Sequence, residues 1–443
     1  MDVVTAHPTS LVATDPSRLD ELPSGTRVYG IPVEVSFAER LDAWLTSLVQ
    51  SVRGRLGGAS SSRGAAGNTV RSTVSAPVRI NSLPASDIGW DFSKPRTLIR
   101  AYHAYVIKSK WHGWANAAEF VAKAIVEASV HRAVISCGPP HEAHEAARRV
   151  SLATGLPLML DMRDPWSLVE RLPEPVASPV WLRWSARDEQ RAMARASIAI
   201  CNTDPSRRAL AAAYPNTSAR IITVMNGYDE EPIPSARRGR RFTIAYAGNI
   251  YIDRDPRLLF RAAARVIADL GLTPEDFGLD FVGNVEMYDG VPVSQIACEE
   301  GMAAFVTVSP SLPRPAMLEF LAGASMLVSL PQDSDLAVPS KLFEYMQFDA
   351  WLLALADVDS ATELLLRDSG ADVRAPHDVQ GMTAVLHARY QQYARGVRPG
   401  RLARDGRFSR RGQAKILLDA LEDVVGSASP ARIGALSAPG SVV

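Results

Sequence analysis

The chain is poor in cysteine: Cys137, Cys201 and Cys298 stand singly, without metal-ligand spacing. That scarcity excludes a disulfide framework, and the three read as buried thiols of a reducing compartment. Long apolar runs are also lacking; none reaches the roughly 18 residues that a bilayer span requires. No charged, apolar and small-residue succession opens the chain as a secretory signal would. The expected location is therefore cytoplasmic. Net charge is absent as well, with 48 basic residues against 48 acidic ones. A balanced chain offers no broad footprint for nucleic acid, and none is expected as a partner. No Gly-x-Gly-x-x-Gly follows a strand, which disfavours a Rossmann dehydrogenase. The corresponding loops carry Gly138-Pro139-Pro140 and Gly248-Asn249-Ile250 instead.

What is present is an alternation of strand, loop and helix in a chain of 443 residues, long enough for two domains with real cores. Strands are expected at 1–5 and 26–33, with a polar loop through Asp15 to Ser17 between them. Leu41, Trp44, Leu45, Leu48, Val49 and Val52 then recur at the spacing of one helical face. Arg53 and Arg55 follow, and a Gly/Ser-rich insertion over about 54–70 is expected to be flexible. For the Trp44 helix two readings stay open: packing against its own domain, or peripheral contact with an anionic membrane surface. Further on, the pattern predicts a helix over 116–129, a strand over 133–137 and a helix through Val150. Strands over 156–160, 197–200 and 221–225 complete the series. His141, Asp161, Arg163 and Asp164 fall on loops after strands, the side on which parallel sheets bind ligands. The plainer reading of each is a helix cap or a loop ion pair.

Asn226 to Gly239, with two prolines and many charges, marks a domain boundary. This gives a first domain over 1–235, a second over 236–425, and a Ser-, Ala-, Pro- and Gly-rich tail over 426–443 expected to be disordered. The second domain opens with the strand 242–247 and continues with strands at 279–283, 305–308, 326–330 and 352–356. After the first of these strands Asp255 reads as an N-cap, with Pro256 at the first helical position. Arg254 thereby hangs on a loop where it would neutralise a pyrophosphate, or else pair with Asp253 or Asp255. After the fourth strand, Pro339 and Ser340 start a helix that carries Lys341 and, one turn on, Glu344. A phosphate there would meet amide donors and Lys341, and Glu344 would accept from sugar hydroxyls. The alternative is an exposed Lys341–Glu344 pair. The apolar spacing from Ile416 to Val424 predicts a last helix over 408–425.

These loops carry a resemblance. Tyr246 to Tyr251 with Arg254 to Pro256, Val338 to Tyr345, Asn226 to Asp229, Gly138 to His141 and Arg163 to Trp166 resemble family 4 glycosyltransferases of the GT-B fold, in particular bacterial enzymes of exopolysaccharide and envelope-glycan synthesis. The resemblance runs from the start of the chain to about Val425. It implies an α/β fold of two Rossmann-like domains facing across a cleft. It also implies transfer of a hexose from a UDP- or GDP-linked donor to a glycan or polyprenyl-linked acceptor, with retention and no obligatory metal or other cofactor. Gly248, Asn249, Arg254, Pro339, Ser340, Lys341 and Glu344 would hold the donor. Arg254 and Lys341 would neutralise its pyrophosphate, with Glu344 on the ribose. His141, Asp161, Arg163 and Asp164 would face the acceptor.

Two departures from the family pattern stand out. A second glutamate common in the family, eight residues before the position of Glu344, is here Leu336, with Asp335 beside it and Asp333 nearby. The first domain is also expected to lack its opening strand and Gly-rich loop, because the strand at 1–5 resembles a later one. They motivate one alternative, a non-catalytic glycosyltransferase-like subunit; a second, a nucleotide-sugar epimerase of the same fold, would need its own acid/base pair in the cleft, and none is identified in the sequence.

Overall fold

The structure is a computed structural model, and it describes residues 1–10, 22–56, 78–79, 95–127, 130–164, 166–168, 171–172, 178–235, 239–251, 254–331 and 334–427. The expected loop through Asp15 to Ser17, the insertion beyond residue 56, Asp253, Asp333 and the tail beyond residue 427 lie outside the described residues. The chain divides into two compact units. One holds residues 1–200, 214–222 and the chain from Leu421; the other holds 201–213 and 223–420.

In the first unit, β1 (Asp2–Ala6) and β2 (Arg27–Ile31) pair in parallel. Helix α1 (Phe37–Leu56) follows, and its apolar face is not packed away: Phe37, Leu41, Trp44, Leu45 and Leu48 are all exposed. After β3 (Val78–Arg79), α2 (Pro95–Ile125) runs for 31 residues and begins well before the expected start at Asn116. Its early turns mix exposed Leu98, Ile99 and Tyr105 with buried Ala104 and Val106, which blurs the one-faced periodicity that announces a helix. Next come β4 (Val134–Gly138), α3 (Glu142–Thr154), β5 (Leu158–Met162) and β6 (Arg171–Leu172). Helix α4 (Pro179–Arg195) had no counterpart in the sequence pattern; Ser178 caps it by accepting from the Val180 N–H at 3.2 Å. The strands β7 (Ile198–Cys201) and β8 (Arg220–Thr223), with α5 (Asp204–Ala213) between them in sequence, complete a four-stranded sheet ordered β4-β5-β7-β8.

Two expectations fail here. Asp161 lies inside β5 and not on the loop after it, paired across the ladder with Cys137. And only Cys201 is a buried thiol: Cys137 and Cys298 are exposed. Cys137 sits on an edge strand whose successive side chains alternate between solvent and core, and it takes a solvent position.

The second unit is built on β9 (Phe242–Asn249), α6 (Arg257–Leu270), β10 (Phe277–Asn284), the short pair β11 (Met287–Tyr288) and β12 (Val291–Pro292), α7 (Val293–Glu299) and β13 (Val306–Ser309). It continues with α8 (Arg314–Gly323), β14 (Met326–Ser329), α9 (Ser340–Tyr345), β15 (Trp351–Leu355), α10 (Ala361–Leu366), β16 (Asp372–Arg374), α11 (Val379–Ala394) and the part of α12 (Arg410–Ser427) before Leu421. Six parallel strands form one sheet in the order β13-β10-β9-β14-β15-β16. The order runs outward from β9 in one direction and from β14 in the other, so the chain reverses between them. That is the doubly wound arrangement, and its ligand crevice lies outside the carboxyl ends of those two strands.

The apolar runs that announce these strands follow from burial on both faces. Phe242, Ile244, Tyr246, Met326, Val328, Trp351 and Leu353 enter one core with α6, α7 and α11. Ala245, Leu327, Leu352 and Ala354 enter the other, against α8, α9 and α10. Helix α6 stops where expected, on Gly271 at φ 63°. Its start differs by one residue. Pro256 is the cap position, and Asp255 holds the first turn by accepting from the Arg257 N–H at 3.0 Å.

Candidate functional site

At the reversal point, β9 ends on Gly248 and Asn249, and α9 follows the loop after β14. The hydroxyl of fully buried Tyr345 ties these parts together. It accepts from the Ala247 N–H at 2.8 Å and donates to the Ala247 carbonyl at 3.1 Å. With Leu342, Phe343 and Tyr345 buried, α9 has one orientation available, and it sends Lys341 toward β9. The Lys341 Nζ rests 3.9 Å from the ring centroid of Tyr246. A Cβ on Gly248 would stand 2.5 Å from that nitrogen, so glycine leaves the space the amine occupies, at a φ of 140° that other residues rarely adopt.

Arg254 reaches the same spot from the loop before α6. The side chain is buried, its Nη1 donates to the Asn249 carbonyl at 3.0 Å, and its guanidinium covers the Tyr251 ring at 4.2 Å. Tyr246 donates its hydroxyl to the same Asn249 carbonyl at 2.7 Å. One backbone oxygen therefore orients both the ring beneath Lys341 and the guanidinium beside it.

The electrostatics of Lys341 are unusual. Its Nζ is buried and has no hydrogen-bond partner among the described residues. Burial, and after it the nearby charge of Arg254, pushes its pKa down to about 7. Tyr246 is pushed up to about 12, mainly by burial, with Arg254 opposing. A half-ionised amine beside a guanidinium lacks one thing, an anion.

Glu344 goes elsewhere. Its carboxylate pairs with Arg314 at the start of α8, and Arg314 also reaches Glu231 at 3.2 Å. The Lys341–Glu344 pair that spacing allowed does not form. Helix α9 is six residues long, so its dipole is small, and it starts at Ser340 with Pro339 in the cap position. Pro339 is buried and its carbonyl accepts from the Leu342 N–H, while Ser340 is exposed. Upstream, the Leu336 carbonyl accepts from the Thr203 hydroxyl and the Asp335 carbonyl from the Ala361 N–H, which anchors the loop through its backbone. Tyr246 and Tyr345 stand in the two motifs without a role read from sequence, and Arg314 was not singled out. The tyrosines look like core residues of an apolar run, and Arg314 stands alone among prolines.

The residues singled out in the first unit sit at and just after the ends of the paired strands β4 and β5. His141 stacks on Trp166 at 5.1 Å and 15°, and on His144 at 5.6 Å. Burial holds His141 down at about 4 and His144 at about 3, so both are neutral imidazoles at pH 7. Asp161 instead accepts from the Cys137 thiol at 3.2 Å and is shifted upward by burial. Arg163 and Asp164 are exposed on the turn that follows β5.

No protein-family model and no curated protein sequence matches the chain. Solved structures do match in fold. An α,α-trehalose 6-phosphate synthase of Burkholderia multivorans superposes with a TM-score of 0.57 at 12% identity, covering 97% of this chain and 99% of that one. The sucrose-phosphate synthase of Thermosynechococcus elongatus gives 0.52 at 9% identity, with 96% and 99% covered. The Anabaena protein HepE, solved with UDP-glucose, gives 0.51 at 13% identity over 70% and 82%. The shared architecture is GT-B, with two Rossmann-like domains of mixed α/β structure and parallel sheets.

Proposed function

We propose that the chain is a glycosyltransferase whose second unit grips a nucleotide-diphosphate sugar by its two phosphates. The observation that carries this reading is the Lys341 amine, buried over Tyr246 with no acceptor and with Arg254 beside it. A diphosphate supplies the missing negative charge and restores the amine's proton. To Glu344, held by Arg314, we assign the ribose.

Chemically, the barrier to leaving-group departure falls when charge growing on the distal phosphate meets fixed cations in a dry site. Arg254 is fixed by the Asn249 carbonyl and Lys341 by the packing of α9, so neither must reorganise as charge develops. The departing phosphate takes the acceptor's proton, which fits retention without a protein base and without a divalent ion. UDP is the first nucleotide to test, since HepE was solved with UDP-glucose. On the acceptor side we place His141, Asp161, Arg163 and Asp164, with a glycan or polyprenyl-linked acceptor. No helix among the described residues is long and apolar enough to cross a membrane. The exposed apolar face of α1 supports a peripheral membrane contact.

Leu336 in place of a glutamate favours a second reading, a nucleotide-sugar binder without turnover. Calorimetry with UDP-glucose, followed by measurement of UDP release against a panel of glycan and lipid-linked acceptors, separates the two. Acceptor-dependent release supports transfer, and binding without release across the panel supports the binder. Absence of UDP-glucose and GDP-sugar binding removes both.

A further inference from the structure

The two central strands of the second unit's sheet separate early. β9 pairs with β10 along its whole length, from Phe242 to Asn249. With β14 it pairs only at Ile244 and Ala245, opposite Met326 and Leu327. Val328 and Ser329 then stay with Leu353 and Ala354 of β15 and leave β9. That parting is the crevice of a doubly wound sheet, and it takes a ladder partner away from Ala247. Thr243, on the same edge of β9, still has its carbonyl taken by the Ser325 N–H at 2.9 Å, just before β14. At Ala247 no strand arrives. Its N–H and its carbonyl are both taken by the Tyr345 hydroxyl, at 2.8 and 3.1 Å. One phenol therefore stands in for the departed strand and satisfies two backbone groups at once.

This has a geometric consequence for α9. The helix is also held by the packing of Leu342 and Phe343, and at its end by the Met346 carbonyl, which accepts from the Leu402 and Ala403 N–H groups at 3.0 and 2.9 Å. Among the described residues, however, only the Tyr345 hydroxyl makes hydrogen bonds between α9 and β9. Packing alone tolerates small slides; two bonds to one peptide unit do not. Lys341 lies one turn before Tyr345 on the same helical face. Its Nζ rests on Tyr246, the residue next to Ala247. Two neighbours on the helix face thus meet two neighbours on the strand. Burial raises the pKa of the Tyr345 phenol, so the clasp persists across the range in which Lys341 titrates.

We propose that Tyr345 is a positioning residue of this site: by clasping the Ala247 peptide where β14 has turned away, its hydroxyl fixes the distance from α9 to β9 and so seats the Lys341 amine over Tyr246. Its role in binding rests on the donor reading, in which that amine meets the diphosphate. The seating itself is a property of the ligand-free chain.

The chain has six lysines, few enough for their 13Cε resonances to be followed singly, and Lys341→Met identifies the one in question. In the unmodified chain that lysine should titrate at about 7. Tyr345→Phe keeps the ring and removes the hydroxyl. With α9 released, water reaches the amine, and its titration should move up by about one unit or more, toward 10.5. UDP-glucose affinity at pH 6, where the amine is protonated in both proteins, should fall about three- to tenfold, because a preorganised contact has been loosened. The pH above which affinity declines should rise with the titration. Phe348→Leu, in the same core, should lower stability and leave titration and affinity in place. Hydrogen exchange needs no variant: in the unmodified chain the Ala247 amide should exchange as slowly as that of Ala245. An unmoved titration in folded Tyr345→Phe, an equal shift in Phe348→Leu, or an Ala247 amide exchanging as fast as those of exposed turns would each overturn the proposal. Failure of the unmodified chain to bind UDP-glucose or a GDP-sugar removes the donor reading alone, since the lysine titration is read without nucleotide.

Discussion

Lys341 and Lys108 begin alike and end differently. Each lysine lies near an aromatic ring, Tyr246 at 3.9 Å and Trp184 at 5.9 Å. Lys108 has Asp188 and Glu142 within 4 Å, so its charge is answered inside the protein. Lys341 has no such partner and has Arg254 for a neighbour. The first arrangement is complete. The second is incomplete by one anion. Whether a pocket's charges are answered internally thus reports on the ligand's charge, independently of shape.

Lys341→Met should show the largest effect. Removing a charge-assisted contact worth about 1.5–3 kcal/mol should weaken UDP-glucose about 10- to 100-fold by calorimetry. The ligand-free variant should melt no lower than the parent, because a buried unanswered amine has been removed. Second is pH. Burial pushes the free amine down to about 7, and on the donor reading the diphosphate selects its protonated form. UDP-glucose affinity should be level below pH 7 and fall by up to tenfold per unit above it, a slope absent from Lys341→Met. Stability runs the other way. The unfolded amine, near 10.5, holds a proton that the folded one has lost, so this group's contribution to ligand-free stability rises between pH 7 and 10.5. Thermal melts of the parent against Lys341→Met over that range check the sign.

Lys108→Met sharpens the contrast by reversing it. Asp188 and Glu142 would lose their shared cation, and urea unfolding should register a loss of about 1–3 kcal/mol. Gly248→Ala should cost about 1–3 kcal/mol through its backbone angle and displace the Lys341 amine, so UDP-glucose binding falls along with stability. Glu344→Gln should be mildest. Its partner Arg314 is largely solvated, so stability should move by no more than about 1 kcal/mol. UDP-glucose should weaken several-fold while inorganic pyrophosphate is unaffected; equal loss for both would remove Glu344 from the ribose.

The second unit was the more legible. Strands buried on both faces write themselves as unbroken apolar runs, and Gly271 ends α6 where the periodicity stops. The short pair β11 and β12, and β16, three half-buried residues at the sheet's edge, escaped notice. The positions of Arg254 and Lys341 could be read from strand–loop–helix order alone. Their state could not, because it arises where Tyr246, Asn249 and α9 meet in space. The first unit hid more. Helix α4 carries charges between its apolar positions, and α2 shows apolar groups on several sides. The cavity lined by Trp111, Trp166, Trp181 and Trp184 draws on α2, the segment after β4, the loop after β5 and α4, a grouping that no local window contains.

Gly248 faces Gly283 across the β9–β10 ladder, and a Cβ on Gly283 would run into the Gly248 carbonyl. The consequence concerns how this protein can be re-engineered. On the donor reading, a library built to change the preferred nucleotide sugar should hold both glycines constant and diversify instead around Arg314 and the 334–338 loop. Variation at either glycine should purge clones for misfolding before any change of preference could be scored.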